Sequence, residues 1–172
     1  MTILSSARLR FEPFADCHFD GLQAMNSDPE VMRHISGRPE TPEETRAMIA
    51  RVRARWTEYG YGWWALIEPD TGMLAGAAGL HHLGHERTNP MEIGWRLRRD
   101  RWGQGLATEA ARAILGHAFE ALAAPKVCAI RHPDNLASQR VMARLGMRHL
   151  GRQTWHDMEV EVHALERADW HT

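Results

Sequence analysis

The chain has 172 residues, with 21 Lys+Arg against 22 Asp+Glu and a formal charge of -1, so no nucleic-acid-binding surface is expected. Hydrophobic residues make up 44%, enough for one ordinary domain with a buried core over residues 1–172. No apolar run approaches about 18 residues and residues 1–11 hold no apolar segment of signal length, so a cytoplasmic protein without a membrane span is expected.

Cys17 and Cys128 stand in no metal or redox spacing and read as buried thiols in a reducing compartment. Lys126 is the single lysine. Arginine suits bidentate pairing with phosphate or carboxylate, but compositional bias would give the same count.

In chain order, SSARLRFEPF (5–14) alternates as a first strand. Asp16 is placed to cap a short helix through Met25, and SDPEVMRHI (27–35) a second helix with Pro29 near its start. Thr41, Pro42 and Glu44 have the spacing of a capping box ahead of Met48, Ile49, Val52 and Trp56, one face of a helix. YGWWALIE (61–68) and MLAGAAGLHHL (73–83) flank Pro69-Asp70-Thr71-Gly72 as a hairpin. In MEIGWRL (91–97), Met91, Ile93, Trp95 and Leu97 share one face, with Glu92, Gly94 and Arg96 on the other. Leu106, Ala110, Ile114, Ala118 and Leu122 mark a helix laid on a sheet. KVCAI (126–130) is a strand, and NLASQRVMARLGM (135–147) a helix ended by Gly146. Two closing strands meet at His156-Asp157. The sum is an α/β (α+β) domain with a mixed, mostly antiparallel sheet flanked by helices.

Between strand and helix lies RRDRWGQGLA (98–107). Gly103 and Gly105 permit a close ligand approach, the first amides of the helix lack acceptors, and Arg98, Arg99 and Arg101 raise the local potential. An anion site and a plain strand-to-helix turn both fit this stretch. A P-loop is excluded because Leu106-Ala107 follow Gly105. A dinucleotide fingerprint would need glycine at Thr108, and its acidic residue has only Glu120 as a loose candidate.

WGQGLATEA (102–110) resembles the pyrophosphate loop of the GCN5-related N-acetyltransferases (GNAT), written Gln/Arg-x-x-Gly-x-Gly/Ala; Gly105 and Ala107 fill its last two defined places. NLASQRVMARLGM resembles the same superfamily's Asn-x-x-Ser/Ala helix. ARLRFEPF, MEIGWRL and LERADW resemble the branch that acetylates ribosomal-protein N-termini, in order along nearly the whole chain. The resemblance implies a sheet splayed between the fourth and fifth strands and acetyl-CoA as cosubstrate, without metal. It implies amides of Gly103, Gln104, Gly105, Leu106 and Ala107 on the pyrophosphate; the basic run would add Arg98 and Arg101 to the same site. It also implies main-chain groups of Ile93, Gly94, Trp95, Arg96 and Leu97 along the pantetheine arm. Trp102 departs from the pattern, replacing a donor with a ring that could cover the loop or ribose.

Acetyl transfer to an amine needs a neutral nucleophile, a polarised carbonyl and a proton for the leaving thiolate. Glu92 is the candidate base, directly or through water; the bland alternative is a solvated carboxylate on an open strand face. The tyrosine that the family often uses as acid corresponds to Met142, and the only tyrosines are Tyr59 and Tyr61. The resemblance then points to Ser138 as an orienting donor to sulfur. Asn135 reads both as a helix cap and, by resemblance, as a partner of the pantetheine arm.

The eleven histidines show no ligand spacing, and no metal is expected. His82 is the histidine expected to face the amine groove. Of Trp63 and Trp64 at most one can line a given pocket. Acceptor selection would fall to residues 32–35 and 85–90. The acceptor is a primary amine, a protein N-terminus or a small molecule such as an antibiotic. The rivals are an acyl-CoA-binding module without transfer and a nucleotide-binding enzyme. A homodimer is an ordinary expectation for the branch.

Overall fold

The computed structural model describes residues 4–171. The first expected strand is two, β1 (Leu4–Ser5) and β2 (Arg10–Pro13). Asp16 opens a single 3-10 turn and caps nothing; its carboxylate instead takes Arg53 at 2.9 Å, ahead of α1 (Phe19–Asn26). Asp28 caps α2 (Pro29–Met32) by accepting from the Glu30 amide. The capping box of α3 (Pro42–Tyr59) forms as its spacing predicts, and Gly60 ends the helix at φ 75.

Strands β3 (Trp63–Ile67) and β4 (Leu74–His82) form the expected hairpin, followed by β5 (Met91–Leu97). Helix α4 (Leu106–Gly116) does not run straight on to Leu122; it loosens into a π turn over His117–Ala121. β6 (Lys126–Arg131), α5 (Leu136–Arg144), β7 (Arg148–Trp155) and β8 (Met158–Glu166) complete the fold, with Gly146 at φ 75 after α5. His156 and Asp157, at φ 53 and 59, make the tight turn between the last two strands.

The sheet order is β1-β2-β3-β4-β5-β6-β8-β7, and every neighbouring pair is antiparallel except β5 with β6. That parallel pair holds only at Met91↔Val127 and Glu92↔Cys128, after which the strands part. The splay is therefore the one expected, between the fourth and fifth strands; β1 shifts the count by one.

Register puts Trp63, Gly79, Gly94, Ala77 and Arg96 on one face and Trp64, Ala78, Trp95, Leu80 and Ile93 on the other. On the first face Arg96 donates to the Met48 sulfur of α3 at 2.8 Å. On the second, Trp64 meets His117 edge-on beyond α4. The paired Leu80 and Ile93 are each 1% exposed. Each such side chain contributes about 1.5–3 kcal/mol by leaving water, which anchors the middle of β5 and so the splay beside it.

Cys128 is buried, and burial pushes its thiol pKa up, as for an inert core thiol. Cys17, expected inside, is exposed. No helix among the described residues is long and apolar enough to cross a membrane.

Candidate active site

Glu92 stands at the last paired position before the splay. The solvated alternative is overturned, for it is only 6% exposed. Alternation places it opposite Met91 and Ile93 as expected, but this face is covered, too. Across the β4–β5 register it faces His81, whose Nε2 lies 3.1 Å from the Glu92 carboxylate. The contact has ion-pair distance without hydrogen-bond alignment, and both Glu92 Oε2 and His81 Nδ1 remain buried without a hydrogen-bond partner.

His81, which pattern reading passed over, thus flanks the carboxylate; the cue was its place in the register opposite Glu92. His82 is held on both ring nitrogens. Its Nδ1–H donates to the Asn89 carbonyl at 2.8 Å, which leaves Nε2 to accept from the Tyr61 hydroxyl at 2.7 Å. Both histidines line a small cavity of about 140 Å³ with Arg55, Glu58 and His85.

At the other end of β5 the chain turns into α4. Gly103 and Gly105 sit at φ 74 and 79, a conformation that favours glycine. The first intrahelical bond runs from the Glu109 amide to the Gly105 carbonyl at 3.0 Å. The amides of Leu106, Ala107 and Thr108 come before it and have no acceptor within the helix. Glu109 anchors the turn from behind, accepting from the Ser6 hydroxyl at 2.7 Å and the Arg8 amide at 2.8 Å. Burial acts to raise the Glu109 pKa, but these bonds and the Arg8 guanidinium outweigh it and hold the carboxyl below its usual range. Arg8 also donates to the Gln104 carbonyl at 3.0 Å.

Trp102 is 47% exposed, and its indole N–H donates to the Leu97 carbonyl at 3.0 Å. The ring is therefore tied to the end of β5 while staying half exposed. Arg98 and Arg101 are not free cations. Arg98 pairs with Asp100 at 2.9 Å, and Arg101 takes both oxygens of Glu68 at 2.9 and 3.0 Å.

Asn135 caps α5, its side-chain oxygen accepting from the Ser138 amide at 3.1 Å. Met142 points into the core at 1% exposure, so this position offers no group to a ligand.

A cleft of about 580 Å³ joins the far half of β5, the glycine turn and α5, within the range of about 300–1,000 Å³ usual for ligand sites. Trp95, Arg96 and Leu97 wall one side, the Trp102–Gly103 and Gly105–Ala107 backbone one end, and Asn135 with Ser138 the other side. His82, Glu92, Ile93, Gly94, Arg98 and Gln104 are outside its wall. Arg33, Arg140 and Arg144 line it, and none has an ion-pair partner among the described residues. Arg140 and Arg144 lie four apart on α5, a spacing that could have flagged them. No group of three or more metal-ligating side chains is found among the described residues.

A parallel pair that opens beside a strand-loop-helix turn, with a second helix across the gap, is the arrangement that the resemblance to the GNAT acetyltransferases implies. The acetyltransferase (GNAT) domain family matches residues 8–148. YkkB of Bacillus subtilis (strain 168) is 35% identical over 121 residues, covering 70% of each chain. The FsC-acetyl coenzyme A-N(2)-transacetylase of Aspergillus fumigatus is 31% identical over 161 residues, covering 86% of this chain and 65% of that one. An acetyltransferase structure from Agrobacterium tumefaciens superposes with a TM-score of 0.84 at 26% identity, covering 96% of this chain and 95% of that one. The chain belongs to the GNAT family and is an acetyl-CoA-dependent acetyltransferase.

Proposed function

We propose that the protein acts as a single domain that transfers acetyl from acetyl-CoA directly to a primary amine, a protein N-terminus first among the candidates. The observation that carries this reading is the position of Glu92: a buried carboxylate at the vertex where β5 and β6 part, on the strand that ends at the glycine loop.

In this reading the amides of residues 103–107 receive the pyrophosphate, favoured by the partial positive end of α4. Arg140 and Arg144 supply further positive charge, since Arg98 and Arg101 are already paired with carboxylates. The pantetheine arm lies along the unpaired edge of residues 93–97, with Asn135 across from it. The amine nitrogen attacks the thioester carbon, Glu92 takes its proton directly or through water, and the carbon–sulfur bond breaks. The departing thiolate accepts a hydrogen bond from Ser138, and water returns the proton. Glu92, with His81 beside it, is well placed for proton transfer because burial removes competing water.

The N(2) acceptor named for the Aspergillus relative supports an amine, and the motifs of residues 7–14, 91–97 and 165–170 support a protein N-terminus. Two free cysteines fit a reducing, cytoplasmic setting. The test is coenzyme A release from acetyl-CoA with a panel of N-terminal peptides and small amines. Acetylation of the α-amine is expected; tight coenzyme binding with no transfer to any acceptor would instead favour a binding module.

A further inference from the structure

Among the described residues Arg96 is a cation without an anion. It shares a face of β5 with Glu92 and lies four residues further on. One Nη donates to the Met48 sulfur at 2.8 Å, and the guanidinium stands 5.6 Å from the Trp63 ring centre. Its Nε is closed off from solvent with no hydrogen-bond partner. No carboxylate among the described residues stands within ion-pair distance. Glu40 reaches it only at longer range, and its Oε2 already accepts from Asn26 at 2.8 Å. Arg8, Arg38, Arg53, Arg98, Arg101 and Arg152, by contrast, all hold carboxylates.

Arg96 is half-buried, and a guanidinium edge whose Nε is closed off from water is costly unless an acceptor partners it. Arg96 forms part of the wall of the main cleft, so an anion can reach it there. The surroundings are shaped as well. A Cβ at Gly79 would lie 2.6 Å from the Trp63 ring and one at Gly94 3.0 Å, so these glycines let the indole lie flat along the strands beneath the guanidinium. Aromatic floor, cation and cleft wall together form a half-built carboxylate site.

We propose that Arg96 binds a carboxylate carried by the acetyl acceptor, so that the preferred substrate is a primary amine bearing an acidic group. This rests on the reading of the Glu92 face as the acceptor side. Four residues of strand separate the two Cα atoms by about 13 Å, and both side chains stand on the same face. The carboxylate can be an acidic side chain at a peptide N-terminus or the α-carboxylate of an amino acid.

The experiment measures acetyl transfer and equilibrium binding for two acceptor pairs: Glu-Ala-Ala-amide against Gln-Ala-Ala-amide, and alanine against alaninamide. Wild type, Arg96→Gln and Arg96→Lys are compared, with coenzyme A affinity and thermal melting followed in each. Wild type is expected to favour the carboxylate member of one pair by roughly 10- to 100-fold in kcat/KM. Arg96→Gln is expected to erase that preference, Arg96→Lys to keep part of it, and coenzyme affinity to hold.

The pair that shows the preference identifies the source of the carboxylate. A preference in neither pair, or one that survives Arg96→Gln, overturns the proposal while transfer itself stands. Loss of coenzyme binding in Arg96→Gln would assign the guanidinium to the coenzyme and overturn it as well. If no acceptor is acetylated, the transfer reading fails, and carboxylate-dependent binding in wild type then upholds or overturns the proposal by its presence or absence. Should Arg96→Gln not fold, the wild-type ratios and Arg96→Lys decide.

Discussion

The two ends of β5 are built from different materials. Beyond Leu97 the chain presents backbone: two glycines at positive φ, first-turn amides, and a tryptophan whose N–H is spent on a carbonyl. At Glu92 it presents one buried side chain whose setting comes from His81 on β4 and Cys128 on β6. A backbone site should tolerate most side-chain changes but not the loss of its glycines. A side-chain site should fail on a single isosteric change.

The sharpest way to break that contrast is Glu92→Gln, which keeps volume and removes the base. The turnover number is expected to fall by about 100-fold or more with coenzyme affinity unchanged, as read by steady-state rates across pH. An unaltered rate at every pH would remove Glu92 from the proton path.

Gly105→Val tests the other end. Among the described residues, its chain neighbours aside, Arg8 Nη2 at 3.7 Å is the one atom within 4 Å of its absent Cβ, so space is available and φ 79 supplies the penalty. A β-branched residue there costs about 1–3 kcal/mol in strain, and its side chain would crowd the pyrophosphate. Coenzyme affinity should drop by roughly 10-fold or more in a binding titration. Undiminished affinity would move the pyrophosphate elsewhere.

Smaller effects separate the roles on α5. Asn135→Ala should cost about 1 kcal/mol of stability in a denaturant melt through loss of the cap, whatever it does to coenzyme binding. Ser138→Ala leaves the cap oxygen and the receiving amide in place, so stability should hold while turnover falls by roughly 5- to 10-fold, the worth of about one hydrogen bond. Equal losses of stability in both variants would contradict that division.

The smallest effect is a pH dependence of stability. Burial first, then Arg55, pulls His85 down to about 4, and burial likewise lowers His117 and His163. Near pH 6 the unfolded chain binds protons that these rings refuse in the fold. Stability is therefore complete above the ordinary histidine value of 6.5 and falls with pH toward about 4 for His85. Denaturant midpoints at pH 7.5 and pH 5 should differ in that direction; equal midpoints would mean that these rings take up protons as readily in the fold as in the unfolded chain.

The same contrast governs how much was legible in sequence. The α3 capping box, the Gly103-Gln104-Gly105 turn and the Asn135 cap depend on residues a few positions apart, and each formed as its spacing predicts. The burial of Glu92 was not legible, because alternation gives a face and not what covers it. The flanking by His81 follows from antiparallel register between two strands. The charge of Arg101 read as part of a phosphate rim until folding brought Glu68 from another part of the chain, whereas Arg98 is taken by its near neighbour Asp100. Helical phase alone did not show that Met142 turns to the core while Val141 faces the cleft.

The most direct test of this account is a crystal structure with a bisubstrate analogue, coenzyme A joined through an acetyl bridge to a peptide amine. The pyrophosphate should lie within hydrogen-bond reach of the amides of residues 103–107, and the amine nitrogen should sit on the Glu92 side of the splay, directly or one water from the carboxylate. A nitrogen on the opposite face of β5, with Glu92 still enclosed against His81, would contradict it.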